Sequence, residues 1–415
     1  MPQPVLGIDL GSSGVRVAVL DAEGVLVHNA SVDYESEPNK PDDWLLGVRT
    51  LVRAVPDQIR NQLGAVAVDG TSGTLVPCNH VGIPLADALL YNDACPEFAA
   101  DLRELIPEGG PAGSSSGSLA RAMRLIHRHG PTILLRHQAD WISGWLLSDW
   151  RWGEEGNNLR LGWDLDRDRW HRSVEALPWF EALPMIRPSG ERLGRIATEK
   201  AGDLGLPLNL QVIAGTTDSN AAVLAANPKP DDGITVLGTT LVMKRFTDVP
   251  ITAAGVTRHR VGGRWLCGGA SNAGAGVLRR FFSDEQLVEL SRQIDPDTRS
   301  GLSFRPLNSI GERFPVDDPL LKPVLGPRPV SDALYLHGLL EGLTEIEARG
   351  WQRLSELGAL RPSRVISLGG GARNPQWRRM RARKLGCPVV SCSAPPAAGV
   401  AQLARQGLET WESSC

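Results

Sequence analysis

Four aspartates in this chain stand where an apolar run gives way to a turn. Asp9 follows "LGI" and precedes "GSSG"; Asp69 follows "AVAV"; Asp93 sits in "LLYNDAC"; Asp218 follows "VIAGTT" and opens the apolar run "SNAAVLAA". Aspartate is a poor strand residue and is costly to bury without a partner. A carboxylate at a strand end, beside a small-residue turn, can hold a cation next to a phosphate cradled by backbone N–H groups. Phosphoryl transfer needs such a carboxylate for the metal ion, and another to accept the proton of the attacking hydroxyl. Asp9 and Asp218 are the pair that suggests these roles, because each ends a strand beside a Gly/Ser/Thr turn. Purely structural readings stand next to them: Asp9 as a turn cap, Asp218 as a residue favoured by the dipole of a helix N-terminus.

Strands and helices must deliver these residues. Glycine is abundant (45 residues) and clustered, in "GSSG" at 11–14, "DGTSGT" at 69–74, "AGTTDS" at 214–219, "LGTT" at 237–240, "GGASNAGAG" at 268–276 and "GGGARN" at 369–374. Each cluster follows a short run rich in Val, Ile, Leu or Ala, the pattern of a buried strand ending in a turn. Helical patterns lie between several of them. The clearest spans Ser331 to Gly358, where Leu336, Leu339, Leu340, Leu343, Ile346, Trp351, Leu354 and Leu357 keep close to the 3.6-residue period. Alternating strands and helices predict an α/β architecture. The strand–turn–strand pattern occurs twice, in "VLGIDLGSSGVRVAVLD" and "GITVLGTTLVMKRFT". Two related halves are therefore expected, each offering a turn of backbone N–H groups and hydroxyls to a polyphosphate; two ordinary hairpins are the plain alternative. A linker is expected in "AANPKPDDG", where prolines and aspartates break any regular pattern.

Composition excludes several classes. At 415 residues the chain is too long for one ordinary domain, and 42% hydrophobic with 22% charged residues describes a globular rather than a disordered protein. A net charge of −3, with Lys and Arg spread along the chain, implies neither a nucleic-acid nor a polybasic membrane partner. The arginine-rich "WRRMRARKLG" reads as a solvated helix face. No apolar run reaches the roughly 18 residues of a membrane span, and the first residues do not read as a signal peptide. The six cysteines, at 78, 95, 267, 387, 392 and 415, lack CxxC or zinc spacing and read as reduced thiols of a cytoplasmic protein. GxxxxGK[ST], GxGxxG after a strand and HExxH are all absent. A formal GxSxG occurs, "GSSSG" at 113–117, but the "LIPEGGPA" before it is a loop where a serine hydrolase needs a strand. It reads instead as a helix lead-in, with Ser116 or Ser118 as the cap.

The segments "GIDLGSSGVRVAVLD", "AVDGTSGT", "LLYNDA", "AGTTDSNAAVLA", "VLGTT" and "SLGGGARNPQW" occur in the order seen in the FGGY family of carbohydrate kinases. The chain resembles that family from about residue 4 to 405, and within it the short pentulose kinases of cyanobacteria and plants. The resemblance implies the two-domain actin-like ATPase fold, which is ribonuclease H-like. Each domain would hold a mixed five-stranded sheet with flanking helices, and the active site would lie in the cleft between them. Residues 1–226 would bind sugar and phosphate, and residues 227–415 the nucleotide. It further implies ATP and Mg2+ as cofactors, Gly11, Ser12 and Ser13 as one phosphate-binding turn, and Gly238, Thr239 and Thr240 as the other. Gly370 and Gly371 would lie against the nucleotide and Asn374 would hydrogen-bond it, with Trp377 either packing near the base or anchoring its helix. The sugar would meet Asp9, Ser72, Asn92, Asp93 and Asp218. Asp218 is the implied general base and Asp9 the implied magnesium-associated carboxylate, both within reach of the metal.

Departures narrow the expectation. The family's "W-N/Q-D-x-R" aromatic is Tyr91 here, and Ala94 and Cys95 occupy the stretch where its arginine often follows. Thr71-Ser72 stand where glycerol kinases carry Arg-Glu, a smaller hydroxyl-lined wall that suggests a ketopentose. The expected activity is ATP-dependent phosphorylation of a ketopentose terminal hydroxyl, D-ribulose ahead of D-xylulose, by a monomer. The rival is a non-metabolic ATPase of the same fold, of chaperone or filament type; such proteins lack a "YNDA"-like substrate motif.

Overall fold

In the computed structural model, which describes residues 3–413, the run ahead of "GSSG" is a strand, β1 (Val5–Leu10), buried at every residue. It pairs antiparallel with β2 (Gly14–Leu20), which pairs antiparallel with β3 (Leu26–Asp33). On its other side β1 runs parallel to β4 (Ala65–Gly70), and β4 runs parallel to the strand Gln211–Thr217. The parallel strands are covered on both faces and therefore read as near-continuous apolar runs, whereas the edge strand β3 alternates. The helices Pro41–Ala54 and Gln138–Leu147 cover one face, with the Trp44 and Trp141 rings meeting edge to face at 6.0 Å.

The chain divides into two compact units. The first holds residues up to Ala225, Arg260–Gly263 and the chain from Ala394; the second holds Ala226–His259 and Arg264–Ser393. The expected assignment of everything after residue 226 to a nucleotide domain is therefore corrected. The last helix, Pro396–Glu412, returns to the first unit and packs on β1 and on the helix Asp218–Ala225. Its buried face is rich in small residues, Ala397, Ala398, Gly399, Ala401, Ala404 and Gly407, alongside Val400, Leu403 and Leu408. The approach to β1 is so close that a Cβ on Gly7 would run into the Ala397 carbonyl.

The second unit repeats the plan of the first. The strand Asp232–Leu237 pairs antiparallel with Leu241–Thr247 and parallel with Arg364–Leu368, which pairs parallel with Val389–Ser391. Leu241–Thr247 pairs antiparallel with Arg264–Ser271. The helix read from Ser331 to Gly358 spans Asp332–Glu356, capped by the Ser331 hydroxyl on Leu334 N. Each main sheet has six strands rather than five. The additions are edge strands, Arg192–Arg195 beside Gln211–Thr217 in the first unit and Val256–Val261 beside Arg264–Ser271 in the second. They lengthen opposite ends of a shared five-strand order and leave it intact. This is the two-domain actin-like ATPase fold.

Candidate functional site

Strand register places the carboxylates. Asp9 on β1 pairs with Asp69 on β4, and Asp69 pairs with Thr216, so Asp218 follows two residues beyond the same row. These strands run parallel, and in open α/β sheets the carboxyl ends of the strands are where ligands bind. A register shift between Ile213 and Thr216 re-aims the third strand just before Asp218. Asp218 opens its helix, half-buried, and its Oδ1 accepts from Ser219 N at 2.6 Å.

Asp9 and Asp69 are buried, and among the described residues three of their four carboxylate oxygens meet no N–H or hydroxyl donor. Asp9 Oδ2 accepts from Arg16 Nη1 at 3.2 Å; among the described residues Asp9 Oδ1 and both oxygens of Asp69 meet no N–H or hydroxyl donor, and the two carboxyls face each other, so that one, when protonated, can donate to the other. Burial pushes the Asp69 carboxyl well above the usual range, the Asp9 charge, a hydrogen bond to the Asp9 carboxylate and then the Asp218 charge add to the push, and Arg16 opposes it. Orphaned buried oxygens are rare, and here they suit a cation or the polar groups of a ligand. Among the described residues no group of three His, Cys, Asp or Glu side chains is arranged to hold a metal alone. An ion beside Asp9 would take its other ligands from water and phosphate, as Mg2+ commonly does.

The turn after β1 is held from several directions. Gly11 N donates to Gly14 O at 3.0 Å, while Tyr34 N and Tyr34 Oη donate to the Ser13 and Gly11 carbonyls, each at 3.0 Å. Arg16 Nη2 reaches Ser13 Oγ at 3.3 Å, and Ser12 and Ser13 are exposed at the tip. Burial, then the Asp9 charge, push the Tyr34 phenol up, so it stays a donor. Arg16 on β2, directly opposite Asp9 in register, was not among the predicted residues. Strand alternation alone could have found it, because a charged residue in an otherwise apolar β2 must face something polar.

The loop after β4 carries Ser72, half-buried between two threonines. Thr71 N and Oγ1 donate to Gln138 Oε1 at 3.0 and 2.8 Å, and Thr71 Oγ1 lies 2.6 Å from Thr74 Oγ1. In the next loop the Asp93 carboxylate accepts from Leu90 N at 2.7 Å, closing its own turn, while Tyr91 and Asn92 are exposed. The "GSSSG" segment supports this loop: Cys95 N donates to Ser115 O at 2.8 Å. Neither Ser116 nor Ser118 caps the helix Ser118–His129. The N-cap is Gly117, without a side-chain cap. Ser118 Oγ lies 3.0 Å from His137 Nε2, and His137 Nδ1 lies 3.7 Å from Asp140 Oδ2. That order of groups resembles a hydrolytic triad, but all three are at most 5% exposed, and Asp140 already accepts from Glu154 N and Asn158 Nδ2. No acyl substrate reaches this serine.

In the second unit the two predicted nucleotide segments meet at the end of one strand. The turn Gly238–Thr240 follows Leu237, and Gly369 and Gly371 pack against Leu237. Ala275 N and Gly276 N donate to the Gly238 and Thr239 carbonyls at 2.9 and 3.2 Å, fixing the turn. Gly370 is exposed, with open space where a Cβ would stand. Asn374 departs from expectation. Its Oδ1 caps the helix Pro375–Leu385 by accepting from Trp377 N at 3.0 Å, and its Nδ2 donates to Ser291 Oγ at 2.8 Å. Both ends of the amide are engaged within the protein. Trp377 is 2% exposed and donates from Nε1 to Thr344 Oγ1 at 3.0 Å, so it anchors the helix rather than a base. A cavity of about 760 Å³ elsewhere in this unit, lined by Phe304, Arg305, Glu341, Glu345 and Met380 among others, contains none of the predicted residues.

Residues 233–406 match the model of the FGGY family of carbohydrate kinases, C-terminal domain. The chain is 22% identical to a xylulose kinase of Lactococcus lactis over 99% of this chain and 89% of that protein. It is 24% identical to an L-fuculokinase of Escherichia coli strain K12 over 93% of this chain and 88% of that one. The crystal structure of a xylulose kinase from Rhodospirillum rubrum superposes with a TM-score of 0.81 at 21% identity, covering 98% of this chain and 90% of that one.

Proposed function

We propose, for a chain that belongs to the FGGY family of carbohydrate kinases and is an ATP-dependent sugar kinase, that the acceptor is the terminal hydroxyl of a ketopentose. D-ribulose is placed ahead of D-xylulose. The observation that carries the site assignment is the row of carboxylates at three parallel strand ends, with Asp9 Oδ1 and both Asp69 oxygens meeting no N–H or hydroxyl donor beside a Gly-Ser-Ser turn. The half-buried Ser72 hydroxyl, on a loop braced by the bonded Thr71 and Thr74 hydroxyls, supports a polyhydroxy acceptor, and the named xylulose kinases among its relatives support a ketopentose.

Asp218 takes the proton of the acceptor hydroxyl. Its place at a helix N-terminus, with Ser219 N donating to it, favours the ionised form a base must have. Ser72, Asn92 and Asp93 orient the sugar, with Asp93 acting through the turn it closes. Gly11, Ser12 and Ser13 present one phosphate turn, and Gly238, Thr239 and Thr240 the other. Arg16 offsets the Asp9 charge and sets a cation beside Ser13. Gly370 and Gly371 leave room for the nucleotide, while Asn374 acts indirectly by capping the helix behind them. Asp9, with Asp218, would hold Mg2+, which when bound supplies charge neutralisation to the phosphate oxygens. Cys78, Cys95, Cys267 and Cys387 are unpaired, in keeping with a reducing, cytoplasmic setting; Cys415 lies outside the described residues.

A coupled ADP-release assay over ketopentoses, pentitols and glycerol tests this. The expected order of kcat/KM is D-ribulose, then D-xylulose, then the rest. A preference for glycerol or a pentitol overturns the acceptor class. ATP hydrolysis indifferent to every polyol would favour the non-metabolic ATPase.

A further inference from the structure

Arg121, on the helix Ser118–His129, is fully buried, and all three of its hydrogen bonds go to backbone carbonyls. Nε donates to Gly73 O at 2.9 Å, and Nη1 donates to Tyr91 O at 3.2 Å and Asp93 O at 3.0 Å. Nη2 has no partner. Burial lowers this guanidinium to about 10, which leaves it charged at neutral pH. The three carbonyls are not scattered. Gly73 directly follows Ser72, while Tyr91 and Asp93 bracket Asn92. One side chain thus joins two loops far apart in sequence, and between them those loops carry Ser72, Asn92 and Asp93.

The contact is shaped for arginine. Gly73 has φ of +89°, and a Cβ there would lie 2.7 Å from Arg121 Nη2, so the fork packs directly on the loop backbone. A planar fork reaches both loops at fixed spacing, which the single ammonium of lysine cannot do. One turn along the helix, Arg124 Nη2 donates to Ala94 O at 2.9 Å and pairs with Glu97, which extends the clamp to the next carbonyl. Misplacing a substrate-orienting group by about 1 Å can cost on the order of 10²-fold in rate.

We propose that Arg121 is a positioning residue that holds the Ser72 loop and the Asn92–Asp93 loop at the spacing the acceptor sugar requires, and so sets acceptor selectivity. This rests on the ketopentose kinase reading above. The test is steady-state kinetics of wild type, Arg121→Lys and Arg121→Met, varying D-ribulose, D-xylulose and ATP separately, with a thermal melt of each. In Arg121→Met the KM for the preferred sugar rises about tenfold or more and discrimination between the two sugars narrows, while the KM for ATP stays within about twofold. Arg121→Lys keeps the charge and part of the reach, recovering some of the sugar KM but not the discrimination. If Arg121→Met does not fold, the lysine variant alone carries the test. Unchanged sugar KM and discrimination in a folded Arg121→Lys, or equal rises in KM for sugar and ATP, overturn the proposal. A wild-type enzyme that turns over no ketopentose sinks the kinase reading, and this inference with it; wild-type sugar turnover with an indifferent Arg121→Lys sinks this inference alone.

Discussion

The two six-stranded sheets share a plan, yet only the first carries paired carboxylates at the ends of its strands. Where β1 and β4 bring Asp9 against Asp69, the second sheet has Val236 against Leu368, and each pair stands two residues before its turn glycine, Gly11 or Gly238. The second unit does bury an acid, one step deeper. Glu347 and Arg381, each 1% exposed, pair through Nε–Oε2 at 2.6 Å and Nη2–Oε1 at 2.7 Å. Thr235 Oγ1 donates to Glu347, and Arg381 Nη1 donates to Ser367 Oγ. Burial is equal in the two places and satisfaction differs: Glu347 is ringed by donors, while Asp69 meets only the Asp9 carboxyl. A buried acid with its cationic partner built in holds a fold together, whereas Asp69, which meets only another carboxyl, is open to a cation or ligand the chain does not supply.

The largest expected effect falls on the first sheet. Asp218→Asn keeps size and polarity but removes the proton acceptor, and turnover should fall by about 10²–10⁴, with ATP affinity by titration calorimetry little changed. Turnover within a factor of two of wild type would leave Asp218 as a helix residue only. On the second sheet the matching break is structural. Arg381→Met strands Glu347 in the core and should cost about 3–5 kcal/mol in denaturant unfolding of that unit. A loss below about 1 kcal/mol would mean the pair is replaceable, and the contrast between the sheets would weaken.

A finer test uses pH. Asp69 is held protonated to higher pH in the fold than in the unfolded chain, because of burial first and of Asp9 and Asp218 next. Its contribution to stability is therefore fully present below the unfolded value of about 3.9 and is lost as pH rises through the raised folded value. Asp69→Asn has no such loss. In metal-free buffer its melting temperature should gain on wild type as pH rises from about 4, by a few degrees in total. A constant or shrinking difference would show that Asp69 is satisfied after all. The smallest effect is at the nucleotide motif. Asn374→Ala removes a helix cap and should cost about 0.5–2 kcal/mol, while Asn374→Ser, which can also cap, should restore most of it. Restored stability with the KM for ATP still raised about three- to twelve-fold, the size of one lost hydrogen bond, would instead give Asn374 a direct nucleotide contact.

Much of this was legible in one dimension because the signals are local. A buried strand, a Gly/Ser/Thr turn and a second strand leave a mark within about fifteen residues, so both phosphate-turn candidates, the carboxylates at 9, 69 and 218 and the long helix after Ser331 could be read directly. The residues misjudged were those whose partners are remote. Asn374 reads as free to meet a ligand until Ser291 and the N–H of Trp377 are seen to engage it. Ser118 reads as a cap until its hydroxyl is seen against the remote His137, with Gly117 in the cap position. The last helix reads as part of the second half until its alanine and glycine face is seen packed on β1.

The sequence by itself determined the α/β class, the repeated strand–turn–strand units and the presence of carboxylates beside small-residue turns, because chain stereochemistry and apolar periodicity act over a few residues. Tertiary structure alone decided which carboxylates stand together and which lack partners. It set Asp9 against Asp69 by parallel pairing across more than fifty residues of chain, and opposed Arg16 to Asp9 by hairpin register. It carried Arg121 to carbonyls on two other loops. Whether a buried polar atom is satisfied depends on every donor within about 3 Å of it, and those donors come from elements the chain brings together only on folding.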